Sequence, residues 1–281
     1  MKHCFGKTDG IRVHWIEAGR REHPTLVLLH GGGIDCAEFS WKTAIPRLSE
    51  SFHILAPDFP GSGQSEDIAF EHPIPQDIAF LEKWLAQRKE DDFFLAGISM
   101  GGAIGLGYTL RNPRRVKKLI LVDSYGLSDQ VPLGFLSIMS ARFHRAYRFV
   151  GRLSRRRPGL AVRGLRFILG DPNEFTPEIE SDALRLISEK PMGRSWINFM
   201  KDEFASGSCR TNFSNDLSGI NVPVLLVHGE KDRLISTEHT IRAARLLPDA
   251  RVELIPGSGH LPPREAPDLF CRLVREFLLG N

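Results

Sequence analysis

The five residues Gly97-Ile98-Ser99-Met100-Gly101 constrain this chain more than any other stretch. They follow an apolar run, Phe93-Phe94-Leu95-Ala96, and precede a small-residue stretch, Gly102-Ala103-Ile104-Gly105-Leu106, that can continue as a helix. The pattern predicts a buried strand that turns sharply at a serine and enters a helix packed back on the sheet. Such a turn strains the serine backbone and projects its hydroxyl above the sheet edge. Glycines two before and two after the serine let the helix and a neighbouring strand approach with no Cβ between them.

The alternation continues along the chain. Strand-like runs at Arg12–Glu17, Leu26–Leu29, His53–Ala56, Phe93–Ala96 and Lys118–Val122 are separated by helical patterns. Asp77–Arg88 is the clearest of these, with Ile78, Leu81, Trp84 and Leu85 on one face. From Val222 onward come two more strands and helices near Thr237–Leu247 and Pro267–Leu279. Thr8-Asp9-Gly10 signals a hairpin turn between two short strands. Together these predict an α/β fold with a mostly parallel, doubly wound sheet of about eight strands. Ligands in such sheets bind beyond the carboxyl ends of the strands. The core is expected to occupy residues 1–126 and 222–281. The 95 residues between, 127–221, are far longer than an ordinary connection of about 4–6 and predict an inserted helical cap over Ser99.

A serine hydroxyl needs a base to take its proton, and a histidine base needs a carboxylate to fix its tautomer. Of ten histidines, His260 lies in Pro256-Gly257-Ser258-Gly259-His260, a turn directly after the apolar run Arg251–Ile255. That turn would deliver it to the sheet edge that carries Ser99. Asp232, after the strand-like run Val222–Leu226, is the candidate acid; Asp123, after Leu119–Val122, is the alternative. Asp232 could instead cap the helix near Ser236. His30 and His228 also end strands but precede glycine, and both read as supporting groups. Leu26–Leu29 ends in His30-Gly31-Gly32-Gly33, where glycines let backbone amides turn toward a reacting carbonyl oxygen. Gly32 and Gly33, with the Met100 amide, are the candidate oxyanion donors.

These motifs together make the chain resemble the α/β-hydrolase superfamily over nearly its whole length. His30–Gly33, Asp58-Phe59-Pro60-Gly61-Ser62-Gly63-Gln64-Ser65, the Ser99 turn, Gly229–Asp232 and Gly259-His260 fall in family order. The order Ser99, Asp232, His260 is the family's, which favours Asp232 over Asp123. The resemblance implies that Asp58 orients its loop and does no chemistry. A serine nucleophile argues against the similar haloalkane dehalogenases and epoxide hydrolases, which use aspartate. The glycine loop and the Ser-Met-Gly-Gly segment also resemble carbon–carbon bond hydrolases of aromatic ring-cleavage pathways. This chain departs from them with Ile34-Asp35, where they carry proline, and with Leu261-Pro262, where they carry tryptophan after the histidine. The resemblance therefore implies a carboxylic-ester hydrolase. Alternatives on the same triad are a carbon–carbon hydrolase of a vinylogous diketone and a thioesterase. A non-catalytic ligand receptor on the same scaffold is a further alternative.

At 281 residues and 42% hydrophobic, the chain can bury one sizeable core. Cys4, Cys36, Cys209 and Cys271 are scattered without CxxC or zinc spacing and read as free thiols of a reducing, cytoplasmic compartment. The first residues lack the apolar core of a secretory signal, and no segment reaches the roughly 18 apolar residues of a membrane span. A net charge of +3 implies no nucleic-acid partner, and no dinucleotide or phosphate-loop fingerprint appears. No cofactor or metal is expected; the expected partner is a small-molecule ester.

One compositional bias remains. From Gln130 to Gly170 there is no acidic residue but nine arginines: Arg142, Arg145, Arg148, Arg152, Arg155, Arg156, Arg157, Arg163 and Arg166. Arg145, Arg148 and Arg152 recur as one helix face would require. The run reads either as a solvated face or as a reader of an anionic partner: a carboxylate-bearing ester, an acyl-coenzyme A or an acidic acyl-carrier protein. The apolar residues of the segment (Phe135, Leu136, Ile138, Met139, Phe143, Phe149, Phe167, Ile168, Leu169) are expected mostly as core, with one or two lining an acyl site.

Overall fold

A computed structural model describes residues 1–71, 73–143, 156–169, 176–189 and 194–280. Among the described residues eight strands are present: β1 (Lys2–Thr8), β2 (Ile11–Ala18), β3 (Thr25–Leu29), β4 (His53–Pro57), β5 (Phe93–Ile98), β6 (Val116–Val122), β7 (Val224–Gly229) and β8 (Ala250–Ile255). They form one sheet in the order β1-β2-β4-β3-β5-β6-β7-β8. Only the β1–β2 and β2–β4 pairings are antiparallel. The hairpin turn falls where expected, with Asp9 and Gly10 at φ 51° and 82°, the left-handed pair that a two-residue hairpin requires.

Eleven α-helices lie among the described residues. Before the long insertion come α1 (Ala37–Trp41), α2 (Ala44–Leu48), α3 (Pro73–Arg88) and α4 (Met100–Arg111). Between β6 and β7 lie α5 (Phe135–Arg142), α6 (Pro158–Leu169), α7 (Pro177–Glu189) and α8 (Arg194–Phe204). The chain closes with α9 (Thr237–Ala244), α10 (Pro262–Glu265) and α11 (Pro267–Leu279).

The sheet is buried on both faces, so its central strands carry continuous apolar runs. Phe93 and Leu95 of β5 pack into one core with Leu81, Trp84 and Leu106. Phe94, Ala96 and Ile98 point the other way, into a core with Trp41 and Phe270. After β3 the chain goes to β4 on one side, and after β4 it crosses back to β5 on the other. The loops following β3 and β5 therefore diverge at a topological switch point, where open α/β sheets bind ligands.

Two ties hold the inserted helices to the rest of the fold, α7 to α1 and α10, and α8 to the loop after β6. Arg264, its side chain wholly buried, donates from Nη2 to Asp182 on α7 at 2.8 Å and from Nη1 to the Phe39 carbonyl at 2.7 Å. Lys42 Nζ reaches the same carboxylate at 2.9 Å. On α8, Glu203 accepts from the Tyr125 hydroxyl at 2.6 Å and from the Thr211 amide and hydroxyl at 2.8 and 2.7 Å.

The inserted apolar residues depart from expectation. Phe135, Leu136 and Phe143 are 70%, 68% and 65% exposed, not core. The cause is geometric: α5 has eight residues, apolar ones facing several directions, and only Ala141 is fully buried. Of the arginines, Arg142 donates from Nε to the Ala205 carbonyl at 3.0 Å, and Arg166 pairs with Glu180 at 2.9 Å. Arg156, Arg157 and Arg163 are exposed. Arg145, Arg148, Arg152, Arg155 and Phe149 lie outside the described residues, as do the side chains of Phe167, Ile168 and Leu169. All four cysteines carry free thiols, three of them buried. Among the described residues no helix is long and apolar enough to cross a membrane.

Candidate active site

Ser99 occupies the turn between β5 and α4 with φ 52° and ψ −118°. For a residue with a side chain this is a strained conformation, costing about 1–3 kcal/mol and tolerated only where the surroundings enforce it. The surroundings do so through backbone bonds: the Ser99 amide donates to Val122 at 2.9 Å, and its carbonyl accepts from Gly102 at 2.9 Å and Tyr125 at 3.0 Å. The flanking glycines are sterically obligatory. A Cβ on Gly97 would lie 2.2 Å from the Gly101 carbonyl oxygen, and one on Gly101 would lie 2.5 Å from the His30 and Leu29 carbonyl oxygens.

The loops after β7 and β8 are zipped together by their backbones. Glu230 donates to Ile255 at 3.1 Å and Lys231 to Ser258 at 2.8 Å. A Cβ on Gly229 would sit 1.8 Å from the Gly259 carbonyl oxygen, so glycine there permits the contact that brings Asp232 to His260. His260 Nδ1 lies 2.7 Å from Asp232 Oδ2. The carboxylate only accepts, so Nδ1 carries the hydrogen and Nε2 is left as the basic nitrogen. Asp232 Oδ1 accepts from the Leu234 and Ile235 amides at 2.7 and 3.1 Å, fixing its rotamer. Burial opposes the Asp232 charge, but His260 and His228 outweigh it and hold the carboxyl well below the usual range. Burial likewise lowers the His260 pKa, yet Asp232, with Glu265 and Asp35 behind it, carries the ring above the ordinary histidine value. Glu265 braces the histidine turn, accepting from Ser258 Oγ at 2.7 Å and from the Gly259 amide. Burial pushes its own carboxyl up to about 7, against those two bonds.

Asp123, the alternative acid, stands elsewhere. Its Oδ1 accepts from the Gly229 amide at 2.8 Å and lies 3.4 Å from His228 Nε2, while Asp232 takes the His260 bond. Burial pushes the Asp123 carboxyl well up, with His228 opposing. His228 is wedged between the two acids: Nε2 faces Asp232 at 3.2 Å and the Ile235 carbonyl at 3.0 Å, and Nδ1 meets Thr240 Oγ1 at 2.7 Å. The ligand atoms of Asp123, His228 and Asp232 lie within 4.8 Å of one another, the spacing of a metal donor set. Asp232 spends both oxygens on hydrogen bonds and His228 aims a proton into the cluster, so the grouping reads as a hydrogen-bond network. Ser236, not Asp232, caps α9.

The glycine loop after β3 is tied down from both sides. His30 donates from Nδ1 to the Gly31 carbonyl at 2.7 Å and accepts at Nε2 from the Phe59 amide at 3.0 Å. Asp58 fixes the loop below, accepting from the Ala37 and Gln64 amides at 2.8 Å and facing His14 Nδ1 at 2.7 Å. Gly33 has φ 78°. Met100 opens α4, where the first amides have no partner within the helix and remain available to an anion. A Cβ on Gly32 would lie 2.5 Å from the Trp196 ring and 3.5 Å from Met100 Sδ. Trp196 and the stacked Phe199, with ring centroids 4.9 Å apart, thus roof the glycine loop and leave only about 20 Å³ between. A larger cavity of about 310 Å³ opens beside Asp232, lined by Tyr125, Val131, Leu133, Leu234 and His239 among others.

Sequence reasoning passed over Trp196, Phe199, Tyr125 and Asp35. Trp196 and Phe199 sit three apart on an amphipathic helix and were findable in principle; Asp35 has no local signal of its role.

These features define a serine-turn hydrolase scaffold, and the comparisons agree. A sequence profile described as alpha/beta hydrolase fold matches residues 24–267, and the chain belongs to that family. It is 24% identical over 276 residues to a 2-hydroxy-6-oxo-6-(2'-aminophenyl)hexa-2,4-dienoic acid hydrolase of Metapseudomonas resinovorans, covering 98% of this chain and 90% of that one. It is 27% identical over 287 residues to a carboxylesterase of Bacillus subtilis, covering 99% and 86%. In fold it matches a thermophilic esterase from Thermogutta terrifontis with a TM-score of 0.79 at 22% identity, covering 100% and 99%. The protein is a hydrolase.

Proposed function

We propose that the protein is a serine carboxylesterase working through an acyl-enzyme. The observation that carries this reading is the Asp232–His260 hydrogen bond of 2.7 Å at the sheet edge that also presents the strained Ser99. Ser99 Oγ attacks the ester carbonyl while His260 Nε2 takes its proton. Asp232 holds the ring in that tautomer and steadies the imidazolium. The amides of Met100 and of Gly32 or Gly33 receive the oxyanion, a contribution of about 10²–10³ per donor in turnover. His260 then protonates the departing alcohol, and water repeats the sequence on the acyl-enzyme. Helices α5 to α8 act as a cap, with Trp196 and Phe199 set over the acyl position.

Ester cleavage asks for no group beyond these. Carbon–carbon cleavage of a vinylogous diketone, the second reading, is favoured by the Metapseudomonas relative and requires in addition a proton delivered to a substrate carbon before the bond breaks. Initial rates on p-nitrophenyl esters of graded acyl length and on a 2-hydroxy-6-oxo-dienoate, each with Ser99→Ala as control, separate the two. Turnover of esters that vanishes in the variant is the expected result. Turnover of the dienoate alone would replace it with the second reading.

A further inference from the structure

We propose that Asp35 is a positioning carboxylate for the glycine loop, fixing the loop against Ser99 before substrate arrives. The inference rests on the serine-hydrolase reading above. Three donors converge on the Asp35 side chain. The Gly31 amide donates to Oδ2 at 2.7 Å, the Cys36 amide to Oδ1 at 2.7 Å, and Ser40 Oγ to Oδ2 at 2.5 Å. One buried side chain thereby joins the start of the glycine loop, its exit and the helix that follows. The loop also closes on itself, with the Asp35 amide donating to the Gly32 carbonyl at 3.3 Å.

The geometry places this carboxylate under the reacting serine. A Cβ built on Gly31 would lie 2.7 Å from Asp35 Oδ2 and 3.3 Å from Ser99 Cβ. Asp35 and Ser99 therefore press on the same side of Gly31, leaving room for nothing larger than glycine. The carboxylate fixes the His30–Gly31 peptide through the Gly31 amide, and the Asp35 amide on the Gly32 carbonyl fixes the Gly32–Gly33 peptide and so the direction of the Gly33 amide. The position lies in Ile34-Asp35, where the sequence departs from the carbon–carbon hydrolases.

Asp35 also bears on the base. Among the described residues, the carboxylates that act on His260 are Asp232, Glu265 and Asp35; Asp35 itself meets three neutral donors, with the His30 ring beside it. Burial pushes the Asp35 carboxyl up, and its three hydrogen-bond donors pull it back. A carboxylate here favours the protonated ring of His260, which forms as Ser99 attacks. A neutral brace of the same shape would supply the tie but not that field.

The test is the rate of Ser99 phosphonylation by a fluorophosphonate probe, measured across pH and normalised to the active-site concentration. Wild type must label and Ser99→Ala must not; if wild type fails to label, the serine-hydrolase reading falls. Asp35→Asn keeps the size but offers one acceptor oxygen to three donors and no charge. It is expected to label about tenfold more slowly or worse, short of the about 10²–10³ lost when an oxyanion donor is deleted. The pH limb set by His260 is expected to move to lower pH. An Asp35→Asn protein that labels at the wild-type rate per site with an unmoved limb overturns the proposal, even with a lowered melting temperature. Should that variant not fold, Ser40→Ala, which leaves both amide bonds and the charge, is expected to slow labelling about two- to tenfold, the worth of one hydrogen bond. Wild-type rates in Ser40→Ala would then count against the proposal.

Discussion

Asp232→Asn is the sharpest probe of the proposed acid, because the structure dictates what the amide must do. Asp232 accepts four contacts, two amides on Oδ1 and the His260 and His228 rings on Oδ2. An asparagine has one oxygen to serve both sets. If the oxygen stays with the Leu234 and Ile235 amides, the new NH₂ faces His260 Nδ1. The ring must then present a lone pair there and carry its hydrogen on Nε2, where it can no longer take the serine proton. If the side chain flips, the NH₂ collides with two amide donors. The first arrangement costs less, so the dominant form has the wrong tautomer. Loss of the ion pair also drops the His260 pKa from its raised value. In a worked triad of this kind the same substitution lowers turnover about 10⁴-fold, a barrier increase of about 5 kcal/mol. Steady-state ester hydrolysis should show that loss at neutral pH. Asp123→Asn, whose oxygen can keep the Gly229 amide, should cost less than about tenfold, within the worth of one hydrogen bond. A loss under tenfold for Asp232→Asn, with a large loss for Asp123→Asn, would refute the assignment of the acid.

Three further outcomes follow from the geometry. Gly97→Ala pushes a methyl group to 2.2 Å from a backbone oxygen of α4 and should destabilise the fold at or beyond the top of the about 1–3 kcal/mol range for overpacking; an unchanged denaturant midpoint would contradict this. Asp182→Ala strips the wholly buried Arg264 of its close carboxylate and leaves only the exposed Glu178 at 3.9 Å; it should cost about 3–5 kcal/mol, read as a lowered midpoint and faster proteolysis within α5 to α8. Burial opposes the Asp182 charge, but Lys42 and Arg264 hold its pKa below the usual range. Its stabilisation is therefore complete above the unfolded value of about 4 and disappears as pH falls through the folded one, and Asp182→Ala should remove that acid-limb slope. Trp196→Ala clears the roof over Gly32 and should raise kcat/KM for bulky acyl esters relative to short ones; an unchanged ratio would place the acyl group elsewhere.

Much of this architecture was legible in the residues because local patterns coincide with tertiary demands. The two-sided apolar runs of β3, β5 and β6 could only be interior strands, and Pro267–Leu279 ends as read. The Ser99 turn is visible because Gly97 and Gly101 are forced by contacts that leave no alternative residue. That Asp232 and His260 follow neighbouring strands was legible from the apolar runs and the glycine turn before His260, while the preference for Asp232 over Asp123 came from the family's residue order. Their hydrogen bond was not legible. The antiparallel seat of β2 beside β4 was not, since nothing local encodes which edge a hairpin takes. Asp35 was read only as a departure from a relative's pattern, because its three donors come from residues whose identity matters only through their amides or a lone hydroxyl. The exposure of Phe135 and Leu136 was hidden for the opposite reason: an apolar residue on a short helix is buried only if a partner face exists. Asp123 was a reasonable rival because it ends the adjacent strand, and only the His260 bond distinguishes the two.

The most direct measurement is rapid quench of the enzyme with a p-nitrophenyl ester, followed by peptide mass mapping. The acyl increment is expected on the peptide containing Ser99, absent in Ser99→Ala. Turnover that persists with no adduct, or with an adduct on another residue, would contradict the acyl-enzyme on Ser99.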